Sequence, residues 1–106
     1  MHPLILDQAW STQVNEKAIE EFTVELDRVV DRLRTMPITK LKEAAKLTRP
    51  VLSGLAEMAG QSRPVPEIAE RALGDQCAVL GQELIDSGQP CAAAAVLLRE
   101  LRIALP

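Results

Sequence analysis

At 106 residues and 47% apolar side chains, the chain can bury one core without a disulfide or metal and is too apolar for disorder. A net charge of −3 and a pI near 5.1 weigh against a nucleic-acid binder. Aromatic residues are only 2%, Trp10 and Phe22 with no tyrosine, so the core must be built from Leu, Ala, Val and Ile, which suits helices better than sheets.

Residues 1–10, MHPLILDQAW, form an apolar leader. It has neither the positive start nor the long apolar run of a signal peptide. Leu4, Ile5, Leu6 and Trp10 need an apolar home, in a groove of the same fold or of a second copy. The first helix is expected over about 12–35, with Ser11 or Thr12 as its cap. Ala18, Ile19, Phe22, Leu26, Val29, Val30 and Leu33 fall on one stripe, and Glu20, Glu21, Asp27 and Asp31 on the other side. Pro37 ends it, because a residue before proline is pushed out of the α region.

The second helix is expected over about 39–59, capped by Thr39. Pro50 sits in its middle. Leu41, Ala44, Ala45, Val51, Leu52, Leu55, Met58 and Ala59 nevertheless keep a single stripe across the proline, which itself falls on the polar side. That phase predicts one continuous helix kinked at Pro50, with Gly60 as its C-terminal stop.

A third helix is expected over 66–87, with Pro66 at its first position and Glu67 at the positive end of its dipole. Ala69, Ala72, Leu73, Leu80 and Leu84 make its main apolar arc, and Gln76 and Glu83 fall inside that arc. A second face carries Gly74, Ala78, Gly81 and Ile85, which predicts close backbone approach by a neighbouring helix. The fourth helix, about 90–105, opens on Pro90, and its first half is apolar nearly all round. The expected architecture is therefore all-α: a single domain, a four-helix bundle with the leader packed on it.

Signatures of chemistry are sparse. His2, Cys77 and Cys91 are three zinc ligands at most, fewer than a structural site needs, so no metal and no cofactor are expected. One histidine excludes a Ser/His/Asp triad within the ordered domain, and there is no P-loop, GxGxxG or HExxH. Cys77 and Cys91 read as buried, reduced thiols of a cytoplasmic protein. No run approaches the roughly 20 apolar residues of a membrane span.

Three sets of residues are candidate sites. Gln76 and Glu83 are either a polar pocket with Arg32 and Arg99, recognising an anionic metabolite, or satisfied polar groups that fix helix register. Leu97, Leu98 and Leu101, with the leader, are a candidate interaction surface. Residues 28–49 hold seven bases and two acids, net +5, and Lys42, Lys46 and Arg49 share one stripe. Without aromatics to stack bases, this basic patch reads as a solvated face rather than a nucleic-acid site. The function expected is a non-catalytic, self-associating interaction or regulatory module, with a homodimer or protein partner and no membrane; the alternative is a ligand-binding or enzymatic bundle.

Overall fold

The computed structural model describes the backbone of residues 3–106 and the side chains of residues 15–106. It contains four helices, α1 (Pro3–Thr35), α2 (Ile38–Met58), α3 (Leu73–Asp86) and α4 (Ala92–Ala104), with a 3₁₀ turn at Glu70–Ala72. Among the described residues there is no strand, and the all-α bundle is as the sequence implies. The core is aliphatic, centred on Val29, Leu33, Leu52, Leu55, Leu73, Leu84 and Leu98 around the single Phe22.

The ends of the first two helices depart from expectation in instructive ways. α1 begins at Pro3, not near Ser11 or Thr12, so the leader continues the helical backbone. The expected packing of Leu4, Ile5, Leu6 and Trp10 lies outside the described side chains. α2 is capped by Pro37, whose carbonyl accepts the N–H groups of Lys40 (2.9 Å) and Leu41 (3.2 Å). Thr39 thus lies inside the first turn rather than capping it. The proline ring already fixes a φ of −59°, and its carbonyl starts the ladder without help from a side chain.

α2 runs through Pro50 without a break, and Pro50 and Lys46 are both exposed, so the lost hydrogen bond leaves its carbonyl facing water. At its far end Gly60 adopts a φ of +83°. The N–H groups of Gly60 and Gln61 return to the carbonyls of Glu57 and Ala56, which makes a Schellman cap.

The third helix starts later than expected, because residues 59–69 do not form a helix. Pro64 and Pro66 exclude Arg63 and Val65 from the α region, and Ala69 is still extended at ψ 142°. The segment begins at the end of α2, yet Ala69, Glu70 and Arg71 share a shallow pocket with Ile38 and Leu41 at its start. About 11 residues at ~3.1 Å each cover ~34 Å, which matches the ~31 Å length of α2 at 1.5 Å per residue. The segment therefore crosses back along the whole of α2, so that α3 runs parallel to α2.

The remaining directions follow from side-chain partners. Arg34 of α1 meets Asp75 at the start of α3 (2.7 Å), and Leu26 faces Gly81 near its end, so α1 and α3 are antiparallel. Glu25 meets Arg102 (2.7 Å) while Glu20 and Glu21 lie beside Ala92, so α1 and α4 are parallel. The helices run up, down, down, up. α3 and α4 each pack on both α1 and α2.

The two-sided packing expected of α3 is present. A Cβ at Gly74 would lie 2.8 Å from Arg34 Cγ and 3.3 Å from the Val30 carbonyl. One at Gly81 would lie 2.7 Å from Leu26 Cδ1 and 3.1 Å from its Cγ. α1 therefore approaches the glycine face, while Leu73, Cys77, Leu80 and Leu84 fill the core.

Candidate functional site

Gln76, Glu83, Arg32 and Arg99 do not come together. Gln76 is half-buried, and its Nε2 donates to the Pro66 carbonyl at 2.8 Å, so it ties down the crossing segment rather than another helix. Its Oε1 is buried without a protein partner. Glu83 is exposed and accepts a hydrogen bond from Gln61 Nε2, not from an arginine. Arg32 donates to the carbonyl oxygens of Pro106 (2.8 Å) and Leu105 (3.4 Å). Arg99 lies midway along α4 and lines a groove with Glu20 and Glu25.

The crossing segment is the destination of several groups that looked functional in the sequence. Arg49, grouped with the basic patch, is turned inward, donating to the Ile68 carbonyl at 2.8 Å and lying 3.7 Å from Glu67. Lys46 sits 3.6 Å from Glu43 and Lys42 is exposed, so the basic stripe is broken. Val65 packs against the core. Gln76→Leu removes one bond to an exposed stretch together with an unpartnered buried acceptor, and its expected cost in thermal unfolding is within about 1 kcal/mol. Gln76→Ala is expected to cost more, because it also leaves a cavity. A large loss for the leucine variant would show that the Pro66 bond holds the segment alone.

The apolar candidates divide. Leu98 and Leu101 are buried core residues, not surface. The 3–4 spacing of Ala94, Leu98, Leu101 and Leu105 places them on the face toward α1 and α2. Leu97 is half-buried, and its Cδ2 would lie 3.3 Å from a Cβ at Gly54 of α2. What remains exposed on α4 is Ala92, Ala93, Val96, Arg99, Glu100, Ile103 and Ala104.

That exposed side of α4 and the neighbouring side of α1 enclose a groove of about 500 Å³. It is lined by Val24, Ala92, Ala95 and Val96 together with the charged side chains of Glu20, Glu21, Glu25 and Arg99. Val24 is 48% exposed and Val96 56%. The sequence signal was the apolar run CAAAAVLL, which has one face too many for the bundle interior.

Glu25 is the least exposed carboxylate of the lining. It accepts hydrogen bonds from Arg102 Nε (2.7 Å) and NH2 (3.3 Å), and Arg28 lies at 3.6 Å. The Arg102 bond holds its carboxyl below the usual range, against a smaller opposing effect of burial. A carboxylate whose folded pKa is lowered contributes stability above its unfolded value and loses it as pH falls through the folded value. Thermal unfolding of Glu25→Gln should therefore lie below wild type at neutral pH, and the two should converge in acid. A constant gap down to acid pH would show that the pair contributes nothing through charge.

Cys77 and Cys91 are fully buried and free. Burial pushes the Cys77 thiol up to about 12 and raises that of Cys91, so neither is a nucleophile at neutral pH. Among the described residues no group of three His, Cys, Asp or Glu side chains is placed to hold a metal, and no helix is long and apolar enough to cross a membrane. The chain matches no family model, and no curated protein or solved structure matches it.

Proposed function

We propose that the protein is a non-catalytic helical interaction module that self-associates and receives a partner helix in the α1–α4 groove. The observation that carries this reading is the groove itself. It is open, lined by two valines and two alanines with four charged side chains, and it follows the direction of two parallel helices. An open trough of that kind fits a helix laid along it, as in helix-in-groove recognition. It offers no enclosed space and no convergent polar atoms for a small molecule. The least exposed carboxylate of its lining, Glu25, is already bound by Arg102. Two buried free cysteines support a reducing, cytoplasmic setting.

A photo-crosslinking residue at Val96 tests the reading, with the same residue at Leu47 on exposed α2 as control. A protein adduct is expected from position 96 and not from 47, and it should vanish when Val24→Glu is added. Absence of any adduct at position 96 overturns the proposal.

A further inference from the structure

α1 carries a second stripe, on the side turned away from the core. Lys17, Glu21, Val24, Arg28 and Asp31 follow one another at spacings of four, three, four and three, the seam period of paired helices. All five are exposed, whereas the buried stripe of the same helix runs through Phe22, Leu26, Val29 and Leu33. Glu25, which meets Arg102 of α4, lies on the Glu21 and Arg28 side of Val24, so the outward stripe borders α4. On α4 the exposed residues Ala92, Val96, Arg99 and Ile103 follow at four, three and four. Val24 and Val96 both line the groove, and Arg32 reaches the Leu105 carbonyl eight and nine residues further on, so the two valines stand level. The two stripes form one continuous face with the groove between them.

The charges of the α1 stripe are antisymmetric about Val24. Lys17 and Asp31 stand seven residues to either side of it, and Glu21 and Arg28 three and four. Laid end for end on itself, the stripe sets lysine on aspartate, glutamate on arginine and valine on valine. Among the described residues Lys17, Glu21, Asp31 and Arg99 make no ion pair, and Arg28 makes only the 3.6 Å contact with Glu25. Glu20 and Asp27 fall on the opposite flank of Val24 from Glu21 and Arg28. They are the like-charged couple of that arrangement, and they meet at its solvent edge, where screening weakens repulsion between exposed charges.

We propose that a second copy of this chain, turned end for end, packs its own α1–α4 face on this one. One two-fold axis then runs between the paired Val24 side chains and on between the paired Val96 side chains. This deepens the interaction-module reading and rests on it. A two-fold pair buries the same patch on both copies and leaves no open end. In that register Lys17 faces the partner's Asp31 and Glu21 faces the partner's Arg28, each contact occurring twice. Arg99, three residues past Val96, comes level with the partner's Glu21 across the groove. The four valines close the centre, and in the single copy Val24 is 48% exposed and Val96 56%. A foreign helix of one charge fits less well, because it would meet its own sign either at Glu20 and Glu21 or at Arg28 and Arg99.

Sedimentation of the purified full-length protein from micromolar to submillimolar concentration is expected to reach twice 11.6 kDa. Glu21→Arg and Arg28→Glu, both at exposed positions, should each raise the dissociation constant at least about tenfold by setting like charges face to face, with unchanged far-UV circular dichroism. Mixed in equal amounts, the two variants should pair with each other more tightly than either pairs with itself, since each supplies the charge the other lacks. A wild type that stays at 11.6 kDa throughout overturns the proposal. So does a dimer that neither substitution weakens, or a mixture that associates no better than its components. The crosslink at position 96 separates the two levels. An adduct at twice the chain mass supports both, an adduct only at another mass overturns the second-copy inference alone, and no adduct overturns both.

Discussion

Leu98→Ala is expected to destabilise the protein by about 2–5 kcal/mol in urea unfolding, the cost of a buried leucine cavity that relaxes only in part. Leu98 is fully buried where α4 packs on α1 and α2, among Phe22, Leu52, Leu55 and Leu84. Against a total stability of roughly 5–15 kcal/mol, this loss is large enough to unfold a substantial share of the molecules on mild heating. Val96→Ala, two residues away on an exposed position, should change stability by no more than about 0.5 kcal/mol. The pair separates core from surface on one helix. An unaltered urea midpoint for Leu98→Ala would mean that α4 is not docked as described.

Gly81→Ala is expected to destabilise by about 1–3 kcal/mol, although alanine favours a helix interior by about 1 kcal/mol. The added methyl would meet the branched end of Leu26, at 2.7 Å from Cδ1, closer than real Cβ atoms come, and at a tight 3.1 Å from Cγ. Leu26 is itself buried and has little room to turn. Gly54→Ala is the internal comparison. There the only neighbour is Leu97 Cδ2 at 3.3 Å, the end of a half-buried side chain that can shift by a few tenths of an ångström. Gly54→Ala should be neutral or stabilising by up to about 1 kcal/mol. Equal effects at the two sites, read from urea midpoints, would show that α1 and α3 can separate without cost.

The stripes that define the helices were legible because each buries one face of a regular repeat. Leu41, Ala45, Leu52 and Leu55 show this across Pro50. Thr48 completes the same 3–4 spacing and is 0% exposed, but its hydroxyl hid it from a reading based on apolar residues alone. The start of α3 was not legible. Pro66 suits a helix start locally, and only the return path along α2 makes it part of an extended crossing. That error displaced the arc. Ala69 and Ala72 lie before α3, and counting them drew the apparent centre toward Gln76 and Glu83. The true centre is set by Leu73, Cys77, Leu80 and Leu84, which leaves Gln76 at the edge and Glu83 outside. The groove was visible only as surplus apolar surface on the fourth segment. Which residues floor it depends on the parallel pairing of α1 with α4, a relation between distant parts of the chain.

That parallel pairing also governs the order in which the molecule can form. Glu25 and Arg102 are 77 residues apart, and the widest packing surface of α1 is against the last helix. α1 must wait for α4 before its widest partner exists, although α3 packs earlier on the side of Leu26 and Val30. Most small helical bundles fold through neighbouring hairpins, whereas here closure depends on contacts distant in sequence, which slow folding. During synthesis the side of α1 that packs on α4 stays uncovered until residues 94–105 emerge, and that interval is when the chain is most exposed to aggregation or to a chaperone.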